Sequence, residues 1–185
     1  MNLIFLLVHY LSQKVLPKTG PAQHDIHYWL GNDTNKVFLI ILLAIEAENQ
    51  LLDIMSADVG VAGGGGVIRN EERHWIRGFP RNIGTTTSLL TENLAFRDGL
   101  NLCISMNLEA VEIGVDAKAI VDLIANGNNS DPFISPLIDD CKTLPSWIPH
   151  KKIGHCFKEA NKCADALAKI GTSLLVDFVL FMPLP

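Results

Sequence analysis

The sequence predicts a mixed α/β domain over residues 51–175. Three observations carry that assignment. A glycine run at 63–66 opens a strand–turn–strand pattern that reaches Phe79. An alternating run at 110–116 stands alone between helical periods. From there strands and helices succeed one another in the order β, β, α, β, α, α, β, α, which is the signature of a layered α/β domain.

Each element has its own signal. Val67–Asn70 and His74–Phe79 are joined by the polar Glu71-Glu72-Arg73, and Trp75, Arg77 and Phe79 alternate with His74, Ile76 and Gly78, as in a β-hairpin. Residues 88–106 read as a helix opened by Ser88, with Leu89, Phe96, Leu100 and Cys103 at helical spacing. Val111, Ile113 and Val115 alternate with Glu112, Gly114 and Asp116, so 110–116 is a strand. Lys118–Ala125 is a short amphipathic helix ended by Asn126-Gly127-Asn128-Asn129. Pro136–Leu144 is a second, closed by Pro145 and Pro149. Lys151–Phe157 is a strand and Asn161–Leu174 the last helix. Residues 1–50 lack a clean period and read as a leader, and 176–185 as a tail.

Composition narrows the function classes. Apolar residues make up 48% of the 185, enough to build a core, so disordered and low-complexity classes are excluded. Fifteen Lys and Arg against twenty Asp and Glu give a net charge of −5, which excludes a globally basic nucleic-acid binder but not a local basic strip. Cys103, Cys141, Cys156 and Cys163 form no C-x-x-C pair and are expected as reduced thiols. The apolar runs Leu3–Val8 and Val37–Ile45 fall short of the roughly 20 residues that span a bilayer. The second suits a short buried strand or a helix start continuing through Ala44–Leu52. The expectation is an intracellular monomer with no membrane contact.

The glycine run fails both nucleotide fingerprints, because no Gly-Lys-Ser/Thr follows and the next element is a strand. It reads either as a loose turn or as a strand that lets another backbone approach closely. Three acids draw more interest. Glu92 falls on its helix's apolar stripe, where an unpartnered carboxylate is expensive to bury. Asp116 ends its strand, where ligands gather in α/β sheets. Asp165 shares a helix face with Asn161. Each alone could be a solvated surface charge. Clustered beside His155, they would suit a hard cation such as Mg²⁺, whereas Cys and His are too scattered for zinc.

These pieces together resemble one family. Ala62–Asn70 with Trp75–Phe79, Glu92–Leu100, Val115–Val121 and above all His155–Ala168 are similar, in order and spacing, to plant ribonuclease H-like proteins, over about residues 60–181. The resemblance implies the ribonuclease H-like fold, a mixed five-stranded sheet flanked by helices. It implies metal-dependent hydrolysis of the RNA strand of RNA–DNA hybrids, with two Mg²⁺ or Mn²⁺ ions held by Asp53, Glu92, Asp116 and Asp165. His155 would shuttle a proton or aid product release. Thr87, Ser88 and Asn161 would touch the hybrid backbone, with RNA told from DNA through 2′-hydroxyls. Arg69, Arg77, Lys151 and Lys152 would add cations.

The departure lies at the start. The family's first strand carries an Asp-Gly pair about ten residues before the Ala-Gly of strand two. The aligned stretch here is Leu51-Leu52-Asp53-Ile54-Met55-Ser56, with no glycine after the acid, and Asp58 is too close to serve. That leaves a second reading, a catalytically impaired nucleic-acid-binding module on the same fold. Asp25–Gly31 resembles a fragment of a gelsolin/villin repeat. A third reading, an actin-binding fragment, would need far more of that fold than fifty residues supply.

Overall fold

The computed structural model describes residues 40–48, 59–126, 132–156 and 158–182. The gelsolin-like fragment, the run at 3–8, Asp53, Asp58 and the turn at 127–129 lie outside them. Five strands form one sheet: β1 (Ile40–Glu48), β2 (Val59–Arg69), β3 (Trp75–Thr87), β4 (Ala110–Val115) and β5 (His150–His155). Their order is β3-β2-β1-β4-β5, with β1–β2 and β2–β3 antiparallel and β1–β4 and β4–β5 parallel. The helices are α1 (Ser88–Ser105), α2 (Lys118–Asn126), α3 (Ser135–Thr143) and α4 (Lys158–Thr172), with a 3₁₀ turn at Leu144–Trp147. The expected mixed five-stranded sheet flanked by helices is therefore what the chain builds.

One boundary is corrected. Residues 40–48, assigned from sequence to a leader, form the central strand. Ile40–Glu48 pairs with Val61–Arg69 on one side, and Ile40–Leu43 with Glu112–Val115 on the other. The stretch Val37–Ile45 has the short-strand character noted above, but its β-branched and apolar residues lack the alternation of a half-exposed strand. A strand covered on both faces needs none.

The glycines of β2 position the helices. A Cβ on Gly65 would stand 2.5 Å from Ala168 N and 2.8 Å from Ala164 O, and one on Gly63 would meet Ala168 O and Thr172 N, all backbone of α4. A Cβ on Gly64, on the opposite face, would meet the Ala95 side chain of α1 at 3.0 Å. Of the two readings of the glycine run, close approach of another backbone is the one realised, on the α4 face, while on the other face side chains come close.

Two cores follow from that layering. On the α1 face Ile68, Phe79, Phe96, Leu100, Val111, Ile113 and Val115 pack with Ile120, Leu137 and Ile148. On the α4 face Val67 and Trp75 pack with Cys163, Ala164, Leu167 and Ala168. Burial of this kind is worth about 25 cal/mol per Å² of apolar surface, so the two faces carry most of the stability. Arg69 is drawn into the second core. It is fully buried, donates to Cys163 Sγ (3.3 Å) and to Arg73 O (2.9 Å), and lies 5.8 Å from the Trp75 ring centroid. It is thus unavailable to a nucleic acid.

Both sheet edges are managed. On β5 Lys152 pairs across the register with Glu112 at 3.3 Å, and His150 and Lys152 are exposed, as suits an edge strand. On β3 the segment after α4 returns along the edge: Gly78 N donates to Phe181 O, Phe181 N to Gly78 O and Asn82 N to Asp177 O, while Phe178 stacks on Phe79 at 5.3 Å. The tail from 176 onward is in this part a strap on the sheet. All four cysteines are free thiols, and no helix among the described residues is long and apolar enough to cross a membrane.

Candidate functional site

The site is built where β4, β5 and α1 meet. Thr87 caps α1 by accepting from Leu90 N (3.4 Å), which fixes the direction of the first turn. Ser88 then stands one turn before Glu92 and donates its hydroxyl to Glu92 Oε1 at 3.0 Å. Two of the three residues expected to touch a hybrid backbone thus also serve this helix end, Thr87 as its cap and Ser88 as the partner of Glu92. Glu92 itself is half-buried. Burial holds its carboxyl above the usual carboxylate range, the Ser88 bond opposes that, and the nearby Asp116 charge raises it further. Glu92 and Asp116 are therefore electrostatic neighbours, brought together from a helix and a strand end.

Asp116 follows Val115, whose register partner on β5 is His155. The next residue, Cys156, donates its backbone N–H to Val115 O at 2.9 Å, so the carboxyl ends of β4 and β5 are tied side by side. The Cys156 thiol is pushed up to about 12, chiefly by burial and then by Asp116, with Asp165 adding to it. Cys156 therefore feels both acids, one from β4 and one from α4. His155 is exposed at this rim. Asn161 has no exposed surface and offers none to a ligand. Cys156 and the Ser88–Glu92 pairing are features that reasoning from the sequence missed. The Ser-x-x-x-Glu spacing on a helix could have revealed the second, and nothing local could have revealed the first.

Of the four acids expected around two ions, Glu92, Asp116 and Asp165 are described and Asp53 is not. Among the described residues no group of three or more His, Cys, Asp or Glu is placed to hold a metal ion. The donor chemistry, a desolvated carboxylate beside a second one, suits a hard divalent cation. What the described residues supply is two carboxylates that feel each other's charge.

The register adds a further fact. The β1–β4 ladder ends at Leu43 opposite Val115, and Ala44 and Asp116 are the residues that follow on the two strands. Glu46 and Glu48 stand farther along β1, opposite Gly63 and Val61 of β2.

Comparison with known proteins agrees with this picture. The profile of the family described as reverse transcriptase-like matches residues 54–171. A putative ribonuclease H protein of Arabidopsis thaliana is 31% identical over 128 residues, which is 68% of this chain and 20% of that protein. The chain thus spans about one fifth of the length of that relative. Among solved structures, ribonuclease H1 of the archaeon Halobacterium salinarum superposes with a TM-score of 0.63 at 18% identity, covering 72% of this chain and 96% of that one. The compost-derived LC11 ribonuclease H1, solved in complex with an RNA/DNA hybrid, gives 0.62 at 21% identity, covering 72% and 96%.

Proposed function

The chain belongs to the reverse transcriptase-like family and has a ribonuclease H fold, and from that premise we propose that it binds RNA–DNA hybrids and hydrolyses their RNA strand with a divalent metal ion. The observation that carries the reading is the pairing of Glu92 with Asp116 at the carboxyl end of β4. Two carboxylates so placed raise each other's energy until a cation, or a cation with a phosphate, joins them. A bound Mg²⁺ or Mn²⁺ would supply Lewis-acid stabilisation of the charge that develops on the scissile phosphate.

The chain's own residues have separate tasks. Glu92 and Asp116 would hold the ion, and Asp165 of α4 would join them. Ser88 orients the Glu92 carboxylate through its hydroxyl. His155, exposed at the end of β5, is free of burial that would hinder proton exchange with the product end of the RNA strand. The exposed helix start at Ser88 would meet the shallow minor groove, where 2′-hydroxyls distinguish RNA from DNA.

Hybrid binding without cleavage is the second reading, and the stretch Leu51–Ser56, with no glycine after Asp53, favours it. A labelled RNA–DNA hybrid incubated with wild type and with Asp116→Asn, under Mg²⁺ and under chelator, decides between them. Mg²⁺-dependent cleavage lost in Asp116→Asn supports the nuclease. Binding of the hybrid with no cleavage by either protein supports the second reading. No binding at all refutes both.

A further inference from the structure

We infer that the outer edge of the strap after α4 is a self-pairing surface, on which two copies of this chain join strap to strap into one continuous sheet. The strap's own hydrogen bonds set which way its backbone faces. Val179 N donates to Pro80 O (3.3 Å), Phe181 exchanges bonds with Gly78 (2.7 and 3.0 Å), and Asp177 O accepts from Asn82 N (2.8 Å). In an antiparallel pair the bonding direction alternates residue by residue, so Phe178, Leu180 and Met182 turn their N–H and C=O groups away from β3. The bridge of Phe178 to Arg81, flanked by the bonds of Asp177 and Val179, has that form. Among the described residues none bonds to these outward groups. The strap thus closes the edge of β3 and becomes an edge itself.

Its chemistry differs from that of the opposite edge. On β5 His150 and Lys152 are exposed, and charged side chains there discourage strand addition. From Phe178 to Met182 the strap reads Phe-Val-Leu-Phe-Met, without a charge. Phe178 and Leu180 are each 40% exposed and Met182 61%. Alternate positions put these three on one face of the sheet, where Phe178 stacks on Phe79.

Outward backbone groups call for an extended strand, and a second strap is the occupant that fits. Antiparallel pairing about a twofold axis at Leu180 sets Phe178 of one copy opposite Met182 of the other, and Leu180 opposite Leu180. The two apolar rows then meet as cross-strand pairs on one face. The strap's one charged residue, Asp177, ends up at opposite ends of the ladder in the two copies, about 20 Å apart at roughly 3.3 Å per residue. A parallel pairing would set the two carboxylates side by side. So short a ladder buries less than the roughly 1,600 Å² of a standard interface, which makes the pair weak and concentration-dependent. The monomer expected from the sequence is then the dilute form.

Sedimentation of the full chain from about 1 µM to about 1 mM, the range of weak interfaces, should show a reversible monomer–dimer equilibrium. Leu180→Pro removes an outward N–H and none of the strap's bonds to β3, a place where an edge strand tolerates proline. It should weaken association about tenfold or more, because both bonds across the axis are lost together. Leu180→Cys, under oxidised glutathione, should give a disulfide-linked dimer, since Cα atoms of a bonded antiparallel pair lie about 5.5 Å apart. Leu175→Cys, fully exposed but outside the ladder, should cross-link much less, and wild type, whose cysteines are buried or half-buried, sets the background. A chain that stays monomeric throughout would overturn the inference. So would a dimer that Leu180→Pro leaves intact, or one that cross-links better through position 175 than through 180. Thermal unfolding shows whether Leu180→Pro is folded, and if it is not, the wild-type equilibrium and the cross-linking still decide.

Discussion

Replacing Gly65 by alanine should be among the most damaging single changes in this domain, although it adds only one methyl group. The new Cβ would stand 2.5 Å from Ala168 N, 2.8 Å from Ala164 O and 2.9 Å from Leu167 C. Ordinary contacts lie at about 3.5–4.0 Å, so α4 must retreat from β2 by on the order of 1 Å. The atoms in the way are backbone, and no rotamer change relieves them. Overpacking of a filled core costs typically about 1–3 kcal/mol, and a rigid helix on a rigid sheet belongs at the upper end. At about 2–4 °C per kcal/mol for a chain of this size, Tm should fall by roughly 6–12 °C. Gly63→Ala meets the same helix at Ala168 and Thr172, so the double variant should lose less than the sum of the singles, because one displacement of α4 serves both. Gly154→Ala is the control. Nothing lies within 4 Å of its added Cβ, and it should be neutral or gain about 0.4–1 kcal/mol. Thermal and urea unfolding read all four proteins. A Gly65→Ala protein within about 1 kcal/mol of wild type would refute the argument that glycine is required here by the approach of α4.

Other perturbations test other parts of the structure. Arg81→Ala should destabilise by about 2–4 kcal/mol, because it strips the 2.6 Å partner from the largely buried Asp98, and pairing it with Asp98→Asn should recover much of the loss. Urea midpoints of the two singles and the double give the coupling energy, and simple additivity would contradict a functioning pair. Burial raises the Glu92 carboxyl, so its stabilising contribution is fully present below its unfolded pKa and is lost as pH rises through the higher folded value. Glu92→Gln should therefore gain stability relative to wild type as pH goes from about 4 to 8 without metal, and a pH-independent difference in Tm would count against the burial. Deleting residues 1–48 should abolish cooperative unfolding, since the strand lost pairs with both β2 and β4. A soluble truncated protein with a sharp transition would show that another segment can fill the centre of the sheet.

Much of the fold is written locally in the sequence. Val111, Ile113 and Val115 alternate because one face of β4 is packed, whereas on β3 a register shift opposite Ile68/Arg69 sends Trp75 to the α4 core and Phe79 to the α1 core. Thr87 and Ser88 before an apolar period announce a helix start from their own hydrogen-bonding chemistry, which needs no distant partner. Asp116 and Glu92 were legible as candidates, the one from its place at a strand end and the other from an acid on an apolar stripe. What tertiary structure alone decided is everything set by register and approach between elements far apart in the chain. The glycines at 63 and 65 permit a close contact, but only the docking of α4 shows that a helix, and neither a ligand nor a loose turn, makes it. Arg69 reads as a surface cation until the second core closes over it. The sequence pattern of an apolar run at 40–48 is compatible with strand or helix, and its place at the centre of the sheet comes from hydrogen bonds to residues as distant as Glu112. Cys156 gains its meaning in the same way: a lone cysteine carries no signal by itself, and only the pairing of β5 with β4 brings it under the charge of Asp116, because electrostatics depends on where groups stand in space and not on their spacing along the chain.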